Sequence, residues 1–461
     1  MPRRKKMMPV APASMPLRKS DKTPSRLLGM KDWVGAEGAY FDNLVQQARK
    51  FAKLYSFSPV KTPVLETYDL YKKSVRRNAD KEFYAIDGDK SERMILRPEI
   101  TQGIIRAYLE NNLPETGRAS RLYSVGPIFR REKLQTGHYR ESTQFNMEIL
   151  GDHKPLAEAL LITVAHNFFS ELQIKTQVQI NSLGNAECRR EYCAKLLAFY
   201  RERGRRSKLC RSCQNNMGKN CLSLLDCKED DCVKARAEAP QIADHLPAES
   251  REHFTKTLEF LDELNIGYNF NPYLVRGLNY YNDTVFEFWP VNDDGSILGK
   301  TALAGGGRYD SLVEQLGGLP TPAVGLAIGL ERTLARVRDK QLLTGAAEDD
   351  IVFIAQLGEP ARLKSLQLFD ELRHAGFNVR QSFVSDSLKI QLEEAVAMRA
   401  KTSLILGRKE IMDGTILMRD MDSGAQETVV YKKIKERLSR KDKLVEKKFN
   451  NRKEGGLYGG F

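Results

Sequence analysis

Two short segments of this 461-residue chain carry side chains whose types and spacing suit chemistry on an anion. In RLYSVGPIFRRE (121–132), Arg130 and Glu132 stand at i and i+2, on one face of a strand. A polar loop, KLQTGHYRE, follows, and TQFNMEILG (143–151) brings the chain back as a hairpin. That returning strand alternates strictly, with Phe145, Met147 and Ile149 on one side and Gln144, Asn146 and Glu148 on the other. Read alone, its polar side is a solvated outer face. Beside Arg130 and Glu132 it becomes a floor of guanidinium, carboxylate and amide groups, which is costly to bury unless its members serve one another or a ligand. Such a floor suits an amino acid lying beside a phosphate.

Two further arginines sit where elements begin. Arg276 lies in VRGLNYY, next to Tyr280 and Tyr281, which can wall and hydrogen-bond a planar ligand, and Arg332 follows the glycine-bearing turn GLAIGLE. An arginine fork at a helix N-terminus adds to the backbone N–H groups there, making an oxyanion site. Each arginine taken singly reads as a surface ion pair; three in polar-floor segments of one domain favour phosphate. Neither common phosphate loop is present. GSILGKT (295–301) has three residues between its glycines where a P-loop needs four, and no GxGxxG follows a parallel strand.

All seven cysteines, Cys188 to Cys232, fall in one span, which is no disulfide scaffold. Cys210 and Cys213 form a C-x-x-C pair, Cys227 and Cys232 a looser one, and four such thiolates suit tetrahedral Zn²⁺. The alternative is a set of reduced cytosolic thiols in a small helical insert, with Cys221 left over.

The elements that must position these groups follow from periodicity. Apolar residues at three and four predict a helix within 27–56, and Pro63 opens VLETYDLY. Strands are expected at 94–101, 121–132, 142–151, 178–183, 274–288 and from 324, with helices at 155–172 and in RYDSLVEQLGG. The cysteine-bearing helical stretch, about 187–265, interrupts them as an insertion. Together they make an α+β domain on a mainly antiparallel sheet. Beyond VRDKQLLTGAAED, a linker, strands alternate with amphipathic helices in a small α/β domain.

Hydrophobic residues make up 41% and charged residues 29%, with no apolar run of the roughly 18 residues that suggests a membrane span, so global disorder and a transmembrane helix are excluded. The net charge of +13 invites a nucleic-acid reading, but residues 1–26 hold eight Lys/Arg against one Asp and residues 432–461 eleven against four acids. Each tail is therefore +7 and the body between them −1. The prolines of the first tail oppose the amphipathic helix of a transit peptide and favour a disordered basic arm.

FRRE with its loop and returning strand resembles motif 2 of class II aminoacyl-tRNA synthetases, VGLAIGLERTL resembles motif 3, and the Pro63 segment motif 1, which in that family builds the dimer interface. LVRGLNYYNDTVFEF and AGGGRYDSLVEQLGG are similar to the two histidine signatures of histidyl-tRNA synthetases, and LRPEIT to their early strand. The resemblance runs from about 27 to 430. It implies a catalytic domain over 27–345, an anticodon-binding α/β domain over 346–435, and flexible basic tails at 1–26 and 436–461.

Residue by residue, it implies that Glu99, Thr101 and Gln144 hold a histidine α-amino group and that Glu148, Tyr280, Tyr281 and Tyr309 form the imidazole pocket. Arg130 would bind carboxylate and α-phosphate, Arg276 would stabilise charge at the α-phosphate, and Arg332 would bind the γ-phosphate. Glu132 joins the ATP contacts, and Gln135 reads the tRNA acceptor end. The implied partners are L-histidine, ATP with Mg²⁺, tRNA(His) and a second copy of the chain, in the cytoplasm and away from membranes. Three departures bear on this, one being a motif 2 loop that reads EKLQTG where the family often has an Arg-Pro-Gln run, with Gln135 kept. Ser142 stands where the family stacks an aromatic ring on adenine, and Asn279 replaces an Asp of the first signature. The other reading of the resemblance is a catalytically silent paralogue that senses histidine or tRNA.

Overall fold

The alternating segment 141–150 forms the third strand of an eight-stranded sheet in the computed structural model, which describes residues 24–72, 83–88, 93–113, 119–131, 139–202, 204–218, 220–337, 339–343, 351–382 and 387–439. Contacts divide the chain between Leu343 and Thr344.

In the first unit α1 (Gly35–Leu54) precedes β1 (Ser58–Pro59), β2 (Leu65–Thr67), α2 (Tyr68–Lys72), β3 (Tyr84–Asp87), β4 (Arg93–Leu96) and α3 (Thr101–Glu110). Next come the hairpin β5 (Ser120–Phe129) and β6 (Glu141–Leu150), then α4 (Leu156–Glu171) and β7 (Thr176–Ser182). Helices α5 (Ala186–Arg201), α6 (Arg211–Asn216) and α7 (Asp230–Ala237) carry Cys188, Cys193, Cys213 and Cys232, and the turns around α6 and α7 carry the other three cysteines. The unit closes with α8 (Ala248–Glu263), β8 (Tyr268–Phe270), β9 (Asn282–Pro290), β10 (Ala304–Arg308), α9 (Ser311–Gln315), β11 (Ala323–Gly329) and α10 (Leu330–Leu334). The sheet order is β1-β5-β6-β11-β10-β9-β7-β8, antiparallel except at its two edges, where β1 pairs β5 and β7 pairs β8 in parallel. A small antiparallel sheet, β2-β4-β3, stands apart.

The period-two pattern sorts the faces. Phe145, Met147 and Ile149 pair with Ile328, Leu326 and Val324 of β11, and all six are buried in one core with side chains of α1, α4 and α8. Gln144, Asn146 and Glu148 therefore look away from that core.

Three local expectations change. Strand β4 stops at Leu96 because Pro98 follows, and Thr101 opens a helix instead of ending a strand. Residues 274–281 are not strand: Leu274, Val275, Tyr280 and Tyr281 pack into a second core with the cysteine-bearing helices, so their apolar character reflects burial without pairing. The insertion is also shorter than expected, because Phe254 and Leu261 of α8 join the core beneath the sheet and α8 packs on α4.

The second unit has its own sheet, β13-β12-β14-β15-β16: β12 (Val352–Gln356), α11 (Glu359–His374), β13 (Val379–Gln381), α12 (Leu388–Ala397), β14 (Thr402–Leu406), α13 (Arg408–Asp413), β15 (Thr415–Asp420) and β16 (Gln426–Val430). Its first three strands are parallel and the last two antiparallel additions. Residues 434–439 are helical, and Leu438, expected in the flexible tail, is buried in this unit's core. The rest of the two basic tails lies outside the described residues, apart from 24–26.

Candidate active site

On the polar face of the large sheet, register sets the floor of a cleft of about 520 Å³. Glu287 of β9 pairs with Gly305 of β10, Gly305 with Ala327 of β11, and Ala327 with Asn146 of β6. Small residues in the middle of that row leave bare strand for a ligand to lie on. A Cβ at Gly305 would strike the Arg276 guanidinium, so the absence of a side chain there is what lets Arg276 cross the floor.

Arg130, Arg276 and Arg332 all line this cleft, together with Glu99 and Gln144. Arg130 stands one residue past the end of β5 and donates Nε to the Pro98 carbonyl at 2.7 Å. Arg276 donates Nη1 to Glu287 Oε1 at 2.5 Å, and its guanidinium lies 5.5 Å from the Tyr281 ring centre. Burial works against its charge, but Tyr281 and Glu287 hold its pKa above the ordinary value. Arg332 sits within α10, a helix of one turn, and donates Nη1 to the Ala302 carbonyl at 3.3 Å. What it presents to the cleft is its side chain, because so short a helix offers little aligned dipole. Its neighbour Glu331 accepts the Thr143 N–H on both oxygens, at 2.8 and 2.9 Å, tying α10 to the start of β6.

Glu99, 4% exposed, accepts the backbone N–H groups of Thr101 (2.7 Å) and Gln102 (3.0 Å) at the first turn of α3. Burial nevertheless pushes its pKa up, against those two N–H groups and the Arg130 charge. Thr101 Oγ1 then donates to Glu148 Oε1 at 2.7 Å, and Tyr309 Oη donates to Glu148 Oε2 at 2.6 Å. Tyr280 and Tyr281 close over the same group, their rings 4.7 Å apart and the Tyr280 ring 5.5 Å from that of Tyr309. A Cβ at Gly325 would strike the Glu148 carboxylate, so β11 is bare where this side chain crosses it. Glu148 is fully buried, and desolvation raises its pKa to about 8 despite the two hydroxyls.

The expected residues therefore fall into two adjoining groups. One is the open cleft with three arginines, Glu99 and Gln144. The other is a closed nest of Thr101, Glu148, Tyr280, Tyr281 and Tyr309, joined to the cleft through Arg276 and Glu99. Glu132 and Gln135 lie outside the described residues. Ser142 does line the cleft, while Phe145 is buried in the core below; Tyr139, three residues earlier, supplies an aromatic ring to the lining. Asn279 borders a separate small cavity with Arg189 and Tyr281.

Sequence reasoning missed Glu287 and Trp289. Trp289 Nε1 donates to Glu287 Oε2 at 3.1 Å, so Glu287 is gripped between the indole and Arg276. The signal was available: in NDTVFEFWP the residues Glu287 and Trp289 alternate with Phe286 and Phe288, the same period that marked β6.

The sulfur atoms of Cys210, Cys213, Cys227 and Cys232 lie within 4.8 Å of one another. Cys221, left over by spacing, is disulfide-bonded to Cys193, so the expectation of thiols alone does not hold throughout the span.

The family model described as "Histidyl-tRNA synthetase" matches residues 29–333, and the one described as "Anticodon binding domain" matches 352–441. A histidine–tRNA ligase of Thermosipho melanesiensis is 37% identical over 87% of this chain and 95% of its own length. One of Desulfosudis oleivorans is 38% identical over 87% and 94%. Among solved structures, apo histidyl-tRNA synthetase of S. aureus aligns with a TM-score of 0.74 at 26% identity, covering 90% of this chain and 99% of that one. With its motif arginines gathered on one sheet face and its two signatures meeting at Glu148, the chain belongs to the histidyl-tRNA synthetase family.

Proposed function

We propose that the protein is a histidine–tRNA ligase, which activates L-histidine with ATP to histidyl-adenylate and pyrophosphate and then passes the histidyl group to the 3′ end of tRNA(His). The observation that carries this reading is the meeting of three arginines on a bare sheet floor, next to a closed tyrosine–carboxyl nest. A histidine carboxylate oxygen attacks the α-phosphorus, and the bond to the pyrophosphate oxygen breaks with its electron pair. No protein nucleophile takes part, so catalysis is positioning and charge stabilisation. Arg130 holds the carboxylate against the α-phosphate, Arg276 meets the charge that builds there, and Arg332 takes the γ-phosphate. Glu99, Thr101 and Gln144 hold the amino group. A ring N–H reaching Glu148 favours its ionised form, and Tyr280, Tyr281 and Tyr309 wall the ring.

Glu132 and Gln135 belong to the loop expected over ATP and the acceptor end, while Tyr139 offers the adenine the ring that Ser142 lacks. Mg²⁺, which keeps most of its waters and needs only one or two carboxylates, fits Glu331 and Glu287 on the cleft wall and would offset phosphate charge there. We place the enzyme in the cytoplasm as a homodimer; the dimer rests on the likeness of the Pro63 segment to motif 1. Among the described residues no helix is long and apolar enough to cross a membrane.

The test is histidine-dependent exchange of pyrophosphate into ATP. The ligase exchanges; a silent histidine or tRNA sensor does not, and absence of exchange at saturating histidine overturns the proposal. In Arg276→Ala, exchange should fall by about 10²-fold or more while histidine binding stays measurable by calorimetry.

A further inference from the structure

The four clustered cysteines come from two short segments, Cys210 and Cys213 at the start of α6 and Cys227 and Cys232 leading into α7, that no long element connects. Between α5 and α8 the described chain has only α6, α7 and short 3₁₀ turns, none longer than the eight residues of α7. A segment built this way has little regular structure of its own and gains most from a cross-link. A tetrahedral ion with metal–sulfur bonds of about 2.3 Å needs sulfur atoms about 3.8 Å apart. Cys210 and Cys227 Sγ are 3.9 Å apart, and all four sulfurs lie within 4.8 Å of one another. Backbone N–H groups already point at two of them: Cys210 N donates to Cys232 Sγ at 3.2 Å, and Cys213 N to Cys210 Sγ at 3.5 Å. Such donors stabilise thiolates and orient them, as the outer partners of metal ligands do. Of the other three cysteines, Cys193 and Cys221 are taken by each other and the buried Cys188 donates its thiol to the His245 carbonyl at 3.3 Å, leaving an all-sulfur set of four, which suits Zn²⁺.

The cluster also touches the cleft. Asp226 and Lys228 flank Cys227, and both line the cleft that holds Arg276 and Arg332. Lys228 Nζ donates to the Lys300 carbonyl at 3.1 Å and lies 5.8 Å from the Trp289 ring centre. Arg236, four residues past Cys232, donates to the carbonyls of Leu225 and of Cys227, the latter at 3.1 Å, and so braces the same turn. We infer that Cys210, Cys213, Cys227 and Cys232 bind one Zn²⁺ as thiolates, releasing four protons to solvent, and that the ion positions Asp226 and Lys228 as one wall of the ATP-binding cleft. The second half of this inference rests on the ligase reading; the first does not.

Full-length protein purified without chelator should contain about one zinc per chain by elemental analysis. Cobalt exchanged into the site should give the intense visible bands and sulfur-to-metal charge transfer of a tetrahedral CoS₄ centre. Cys227→Ser should lose metal, and Cys193→Ser should keep it. Less than about one metal per five chains after Zn²⁺ reconstitution, with four thiols open to alkylation, overturns the site. For the coupling, chelator-stripped protein should show an ATP KM in pyrophosphate exchange raised about five-fold or more with a smaller change in kcat, restored by Zn²⁺. Lys228→Ala should raise ATP KM with its zinc content intact, which separates positioning from collapse of the segment. An ATP KM that does not move on stripping overturns the coupling, whereas zinc-loaded wild type without any exchange overturns the ligase reading and leaves the metal result standing.

Discussion

Glu148 joins the residue type that a strand pattern suggests to a protonation state that only burial creates. Its pKa of about 8 in the fold stands above the ordinary 4.5, so between those values the folded state holds a proton that the unfolded chain releases. The stabilisation from this group is therefore complete below pH 4.5 and is lost as pH rises through 8. Glu148→Gln, which stays neutral, should flatten that fall: urea unfolding from about pH 5 to pH 8 should show a smaller loss of stability than in wild type, and equal slopes would refute the assignment. Gly305 makes a second prediction at this scale. A methyl group there displaces the Arg276 guanidinium from the floor, so Gly305→Ala should lower kcat for adenylate formation by about 10-fold or more with a milder change in histidine binding. Single-turnover rates beside calorimetry would check it.

Elements are held in place by two buried arginines that no chemical role requires. Arg97 donates to Thr62 Oγ1 at 2.9 Å, to the Thr62 carbonyl at 3.0 Å and to the Pro127 carbonyl at 2.8 Å, fastening the Pro63 segment to β5. Arg308, in the second histidine-type signature, grips Glu158 of α4 through Nε at 2.6 Å and Nη2 at 2.8 Å, while His253 of α8 meets the same carboxylate at 2.7 Å. The signature string thus mixes a pocket residue, Tyr309, with a structural one beside it. Burial opposes the ionised form of Glu158, yet His253 and Arg308 together hold its pKa below the ordinary value. Arg308→Met leaves that carboxylate buried with one partner, and should cost about 3 kcal/mol or more of unfolding free energy by chemical denaturation. A loss below about 1 kcal/mol would show that the pair adds little.

At the scale of the whole molecule, two units each close their own core, and charge is distributed independently of them. The body from 27 to 431 is nearly neutral, while the two tails hold the net positive charge. Positive charge carried by the tail sequences adds non-specific, salt-sensitive attraction to a polyanion, a contribution separate from that of the local arginines of the cleft. Deleting residues 1–23 and 442–461 should flatten the salt dependence of tRNA binding, read as the slope of log K against log salt, and leave histidine activation unchanged. An unaltered slope would remove the arms from tRNA binding.

The sequence by itself determined the class of fold, the strand that carries Gln144 and Glu148, the three arginines, and the family through its long signature strings. Those are local properties: a period of two sorts faces wherever the strand lies, and a motif keeps its order however it is folded. It did not determine that residues 274–281 abandon the sheet, that α8 joins the central core, or that Glu287 clamps Arg276, because each depends on which distant surface is available to bury a side chain. Nor could it show that Asp226 and Lys228, beside a cysteine, reach the cleft of Arg332. That juxtaposition arises from packing between segments about a hundred residues apart, which spacing along the chain does not encode.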